Sequence, residues 1–178
     1  MANLLRIHVS CEDGRGLLAA VASCIFDHGG DLGDATFTRL GEQAEFMAVG
    51  EFPDHVEADE VQRALRDVPA LEDGEVSVTP FGRDRASVTD GSVTHVVRVR
   101  GVDRPGLMAR LAEAFGESGA NIVRMDAEHR ELDQRSDYHM RFEIHVAPDR
   151  AEACLASVSN TAETMSLHFQ AEPAENAG

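Results

Sequence analysis

The sequence predicts an α+β protein built from two β-α-β-β-α-β units, each a single antiparallel sheet with both helices on one face. Three observations predict it. The chain repeats itself at a spacing of 90 residues. Within each repeat, apolar residues switch between a period of two and a helical period of about 3.6. The same glycines punctuate the turns of both halves.

The repeat aligns residues 7–38 with residues 97–128 without a gap. Seven positions are identical: Val9/Val99, Asp13/Asp103, Gly16/Gly106, Leu17/Leu107, Ala19/Ala109, Ala22/Ala112 and Gly29/Gly119. They fall where backbone geometry or packing demands them, as in a duplicated supersecondary unit. Most other changes are mild, such as Leu18/Met108, Val21/Leu111 and Asp31/Asn121.

Each element follows from its pattern. Leu5, Ile7 and Val9 alternate with Arg6, His8 and Ser10, the signature of a half-buried strand; Val97 and Val99 alternate with Arg98 and Arg100. A helix follows in each half. Leu17, Leu18, Val21, Ala22 and Ile25 form one apolar stripe, repeated by Leu107, Met108, Leu111, Ala112 and Phe115. Gly29 and Gly119 stand where a left-handed C-terminal cap belongs. Strands are expected at about 31–40 and 44–52, then at about 121–132 and 137–147. A second helix begins after Pro53, with Val61, Leu65 and Val68 inward, and after Pro148, with Leu155, Val158 and Ala162 inward. Val76 and Val78 close the first half; Met165, Leu167 and Phe169 close the second.

This order is that of the ferredoxin-like fold. The expected organisation is a first domain over 1–82, a polar linker over 83–91, a second domain over 92–171 and a disordered tail over 172–178. Each half is small for an independent core, so side-by-side packing of the two is expected, which would also cover sheet edges.

Composition narrows the function classes. The net charge is −16, and all 16 basic residues are arginine. Such a chain repels phosphate backbones unless it gathers a basic patch, and no run of basic residues does so. RNA binding on this fold needs aromatics on the central strands; here those positions carry Arg6, His8, Arg98, Arg100, Glu143 and His145. Direct nucleic-acid binding is therefore not expected. Cys11, Cys24 and Cys154 form no C-x-x-C pair, and no secretory leader or membrane-length apolar run is read. A cytoplasmic protein is expected. Metals and cofactors are not: His139 and His145 share a strand face with Arg141 and Glu143, which reads as a solvated face. Cys11 sits beside Glu12 and Asp13, an environment unsuited to a nucleophile. No catalytic set is read.

The turn Asp103-Arg104-Pro105-Gly106-Leu107 is the candidate site. Asp103 suits an N-cap, Pro105 suits a helix start, and Gly106 permits close approach. The amides of a helix tip favour an anion such as a carboxylate. Asn121, opening the next strand, offers a donor and acceptors. Plain helix capping accounts for the same residues without a ligand.

The stretch GVDRPGLMARLAEAFGESGANI, with the strands and helix that follow it, resembles an ACT domain, a small regulatory module that often binds amino acids. The likeness extends over nearly the whole chain as two consecutive ACT-like domains. With GDLGDATFTRLGEQAEFMAVGEFP in the first half, it resembles the tandem family of glycine cleavage system transcriptional repressors. The resemblance implies ligand positions at Asp103, Arg104, Pro105, Gly106, Leu107, Asn121 and Ile122. The counterparts in the first half are Asp13, Gly14, Arg15, Gly16, Leu17, Asp31 and Leu32, where EDGRG departs from the Asp-Arg-Pro-Gly form and Asp31 replaces Asn. It implies a non-catalytic regulator that binds an amino acid or related carboxylate between its domains, acts through a protein partner and can form a homodimer. Two alternatives stand beside it: a protein-interaction module without a ligand, and an enzyme of unknown type.

Overall fold

In a computed structural model of the chain, the described residues are 3–82, 92–132 and 135–174; the expected linker over 83–91 lies outside them. The chain divides into two compact units, Met1–Arg83 and Asp84–Gly178.

Unit 1 runs β1 (Asn3–Glu12), α1 (Leu17–Asp27), β2 (Asp31–Leu40), β3 (Gln43–Phe52), α2 (Ala58–Arg66), a 3₁₀ turn (Pro69–Leu71) and β4 (Glu75–Pro80). Unit 2 runs β5 (His95–Val102), α3 (Leu107–Glu117), β6 (Asn121–Leu132), β7 (Arg135–His145), α4 (Ala151–Thr164) and β8 (His168–Pro173). The sheets have the orders β2-β3-β1-β4 and β6-β7-β5-β8, and every pairing is antiparallel. This is the expected α+β, ferredoxin-like architecture, twice. Pro80 closes β4 opposite Leu5, and Pro173 closes β8 opposite His95, both on outer strands.

Alternation builds each core. Leu5, Ile7, Val9 and Cys11 of β1 are buried with Leu17, Val21 and Ile25 of α1 and Val61 and Leu65 of α2. In unit 2, Val97 and Val99 are buried with Leu107, Leu111 and Phe115 of α3 and Cys154, Val158 and Ala162 of α4. Phe115 and Phe142 meet with ring centroids 5.2 Å apart, tilted by 51°.

The structure corrects four expectations of detail. Val68 lies beyond α2, half-buried at the entry to the 3₁₀ turn. Cys154, one residue before Leu155, takes the fully buried place on α4, and Leu155 is only half-buried. Met165 and Leu167 precede β8 rather than lie in it, because α4 runs through Thr164. β8 in turn reaches Pro173, and the Ala174 amide donates to the Thr94 carbonyl at 2.9 Å, so 172–174 are not part of a loose tail; 175–178 lie outside the described residues.

The end of α4 shows why its strand starts late. The Leu167 amide bonds to the Ala162 carbonyl and the Ser166 amide to that of Glu163, at 2.9 Å each. That pairing closes a helix through a residue in left-handed conformation. Gly29 and Gly119 take this place after α1 and α3, at φ 75° and 74°, as the sequence predicts; after α4 the residue is Ser166, at φ 59°. An L-residue there costs about 1–2 kcal/mol, whereas glycine costs about 0.4–1 kcal/mol through the unfolded chain. Relief of strain wins, so Ser166→Gly should raise unfolding free energy by about 1 kcal/mol in urea denaturation.

The sheet faces turned away from the helices are polar. In unit 1, Glu45 accepts a hydrogen bond from Ser10 Oγ at 2.6 Å and meets His8 Nε2 at 2.9 Å. The Ser10 bond first, then His8, holds the Glu45 carboxyl below its ordinary value. A depressed carboxyl stabilises the fold above its unfolded-state value, and that contribution is lost as pH falls through the folded-state value. Carboxyl NMR titration should therefore place Glu45 below an exposed glutamate, and Ser10→Ala should move it upward.

Candidate functional site

Each first helix starts from a glycine held in left-handed conformation, Gly16 at φ 83° and Gly106 at φ 87°. A Cβ at either position would meet nothing within 4 Å, so the backbone conformation, not space, selects glycine. The sequence assigned the cap to Asp103; the structure assigns it to Gly106, and no side chain hydrogen-bonds to the tip of α1 or α3.

The two aspartates do something else. Asp13 Oδ2 lies 3.1 Å from Arg39 Nε, and Asp103 Oδ2 lies 2.9 Å from His129 Nε2. Arg39 and His129 occupy matching places: Arg39 is opposite Ala44 on β3, His129 opposite Tyr138 on β7. The shared aspartate thus ties the turn to the neighbouring edge strand instead of capping the helix. The first-turn amides of α3 keep their positive field.

In unit 2 the turn opens onto a cleft of about 530 Å³ lined by Asp103, Arg104, Pro105, Gly106, Leu107, Met108, Ala109, Ala112 and Tyr138. Arg104 is exposed and makes no ion pair among the described residues. The Tyr138 ring stacks near His129, centroids 4.6 Å apart, so the hydrogen-bonded tie also orients this wall. Its lining is mostly apolar, with Asp103 and Arg104 among its residues.

Unit 1 has a filled groove that shares only three equivalent positions with this cleft, Leu17, Leu18 and Ala44 for Leu107, Met108 and Tyr138. Val9, Cys11, Leu17, Leu18, Val21, Phe37, Ala44 and Phe46 close on each other and leave no room for a water-sized group. Register shows a further difference between the units. Phe46 pairs with Val9 and Phe37, whereas Met140 pairs with Val99 and Ala127. A phenylalanine therefore stands in unit 1 where unit 2 has Ala127. Asp31, which opens β2, lies opposite Glu51, an unfavourable place for an anion. Gly14 and Arg15 stand where Arg104 and Pro105 do in unit 2, and Leu32 packs on the core.

The predicted set is not brought together whole. Asp103, Arg104, Pro105, Gly106 and Leu107 converge. Asn121 and Ile122 do not: β6 runs from Asn121, opposite His145, to the level of His129, eight residues on. At roughly 3.3 Å per residue that is about 26 Å. Ile122 packs against the core. No site within unit 2 holds both the turn and Asn121. Sequence reasoning missed Tyr138, His129, Met108, Ala109 and Ala112. The repeat did carry one signal: Arg39 and His129 fall at equivalent places, 26 residues after equivalent aspartates.

The thiols are poor nucleophiles. Burial first, then Glu45 and Asp13, pushes the Cys11 thiol up; burial does the same for Cys24 and Cys154. Among the described residues no group of three or more His, Cys, Asp or Glu is arranged to hold a metal, and no helix is long and apolar enough to cross a membrane.

Residues 95–153 match the ACT domain family. No curated protein sequence matches the chain. Among solved structures, an unknown protein from Galdieria sulphuraria superposes with TM-score 0.81 at 15% identity, over 98% of this chain and 99% of that one. A protein assigned as a glycine cleavage system transcriptional repressor superposes with TM-score 0.71 at 12% identity, over 99% of each chain. At these identities the likeness establishes a shared fold.

The Asp103–His129 pair is half-exposed, and such pairs contribute about 0.2–1 kcal/mol. A Cβ at Gly106 costs about 1–2 kcal/mol of backbone strain. Gly106→Ala should therefore lower the melting temperature more than Asp103→Ala does, as read by circular dichroism.

Proposed function

We propose that the chain is a non-catalytic regulatory protein whose second unit binds a free amino acid, or a related small carboxylate, in the cleft at the tip of α3. The observation that carries this is the pairing of an uncapped helix tip with an open cleft in unit 2. An α-carboxylate fits the tip amides and the Arg104 guanidinium through charge-assisted hydrogen bonds. An α-ammonium fits the carboxylate of Asp103, held in place by His129. The ACT domain match over residues 95–153 supports the same reading.

The apolar wall of Met108, Ala112 and Tyr138 favours a ligand with an apolar side chain. A role in transcriptional control of glycine metabolism, through a protein partner, rests on the resemblance to the repressor family. In this reading unit 1 keeps the turn but has Gly14 and Arg15 in place of Arg104 and Pro105.

Isothermal titration of the full chain with glycine and with the larger apolar amino acids tests it. A saturable heat with an apolar amino acid is expected, weakened by about tenfold or more in Ala112→Phe and unchanged in Asn121→Ala. Glycine alone binding would remove the role of the apolar wall. No saturable heat with any amino acid would leave the protein-interaction reading in its place.

A further inference from the structure

Two charged side chains line the cleft of unit 2, Asp103 and Arg104. A third titratable group reaches the cleft through Asp103. His129 Nε2 stands 2.9 Å from Asp103 Oδ2, and the His129 ring packs on that of Tyr138, another lining residue. An ionised carboxylate cannot donate, so Nε2 carries the proton of this bond. A neutral imidazole can hold its single N–H there, and an imidazolium donates from the same atom. The tie is therefore compatible with both charge states of the ring, and Asp103 keeps its place in either.

Unit 1 shows what histidine adds. Arg39 takes the equivalent place and meets Asp13 at 3.1 Å. A guanidinium stays charged, whereas an imidazole is the side chain that changes charge between about pH 5 and 8. Both ties orient an aspartate, but only the histidine can alter the charge beside it. Of the charged residues of the turn and α3, only Asp103 and Arg104 line the cleft. From β7, Tyr138 stands directly opposite His129, and Asp137 stands opposite Arg130. On β6, Glu128 and Arg130 flank His129 and pair with each other, and Glu131 follows two residues on, opposite Ser136.

We infer that His129 selects the chemical class of ligand the cleft takes: an amino acid when its ring is neutral, and a carboxylate without an amino group when its ring is protonated. The inference rests on the cleft being a carboxylate site, as proposed above. With a neutral ring, the charges of Asp103 and Arg104 cancel, which suits a zwitterion whose ammonium meets Asp103. With a protonated ring, Asp103 is already neutralised by His129 and Arg104 is left in excess, which suits a plain anion. An ammonium entering then gives up hydration for little return. His129 acts through Asp103 and is a positioning residue whose charge decides what Asp103 can receive.

Isothermal titration of the full chain with leucine and with 4-methylpentanoate, which is leucine without its amino group, tests the inference at about pH 6 and about pH 8. Each probe keeps one charge state over that range. The ratio of the two affinities cancels any general damage to the cleft. It should move toward leucine by about fivefold from the lower pH to the higher. His129→Arg, which installs the residue of unit 1, should hold the ratio low at both pH values. His129→Gln, which keeps a donor without a charge, should hold it high at both. His129 is exposed on an outer strand, melting curves establish that each variant is folded, and either variant alone decides the question. A ratio that stays constant in the parent chain, or that moves as much in the folded variants, would overturn the inference and leave the amino-acid reading in place. So would binding of only one probe at both pH values. Binding of neither probe would overturn both.

Discussion

A left-handed glycine before each first helix is the constraint from which the candidate site follows. Gly16 and Gly106 turn the chain out of a central strand and onto the helix in a single step. That step carries the preceding aspartate away from the helix axis and toward the outer strand, where Arg39 or His129 receives it. The helix tip is left with amides facing outward. A side-chain cap would have taken up part of that field.

The two units lay different side chains on one backbone plan. They share topology, caps, helix stripe and the aspartate tie. Yet their outer strands differ in side chains, Phe37 on β2 standing where β6 has Ala127. Closing a groove with apolar contact stabilises, so the filled unit is the ordinary outcome of packing. Tyr138, the chain's single tyrosine, reinforces the contrast by standing where unit 1 has Ala44.

Much of the fold was legible because it rests on local rules. Ile7 and Val9 alternate with polar residues, Leu107, Leu111 and Phe115 repeat at helical spacing, and Gly29 and Gly119 mark the caps; all three patterns act within a few residues. What was misread depended on register or distance. The partner of Asp103 is 26 residues away and arrives only when β6 pairs with β7 in one register. Asn121 adjoins the helix in sequence, yet the strand it opens carries the chain about 26 Å before it reaches the turn. Ser166 gave no sign of its conformation, because its left-handed place is set by where α4 stops. Cleft volume was illegible for the same reason: it is a difference between side chains that only the folded sheet brings side by side.

Pro80 and Pro173 end the outer strands β4 and β8. A proline has no amide hydrogen to donate to an incoming strand. Growth of either sheet by chance addition of another extended segment therefore stalls at that margin. A chain rich in exposed strand is in this way kept from fibril growth along these two borders, whichever partners its other surfaces meet.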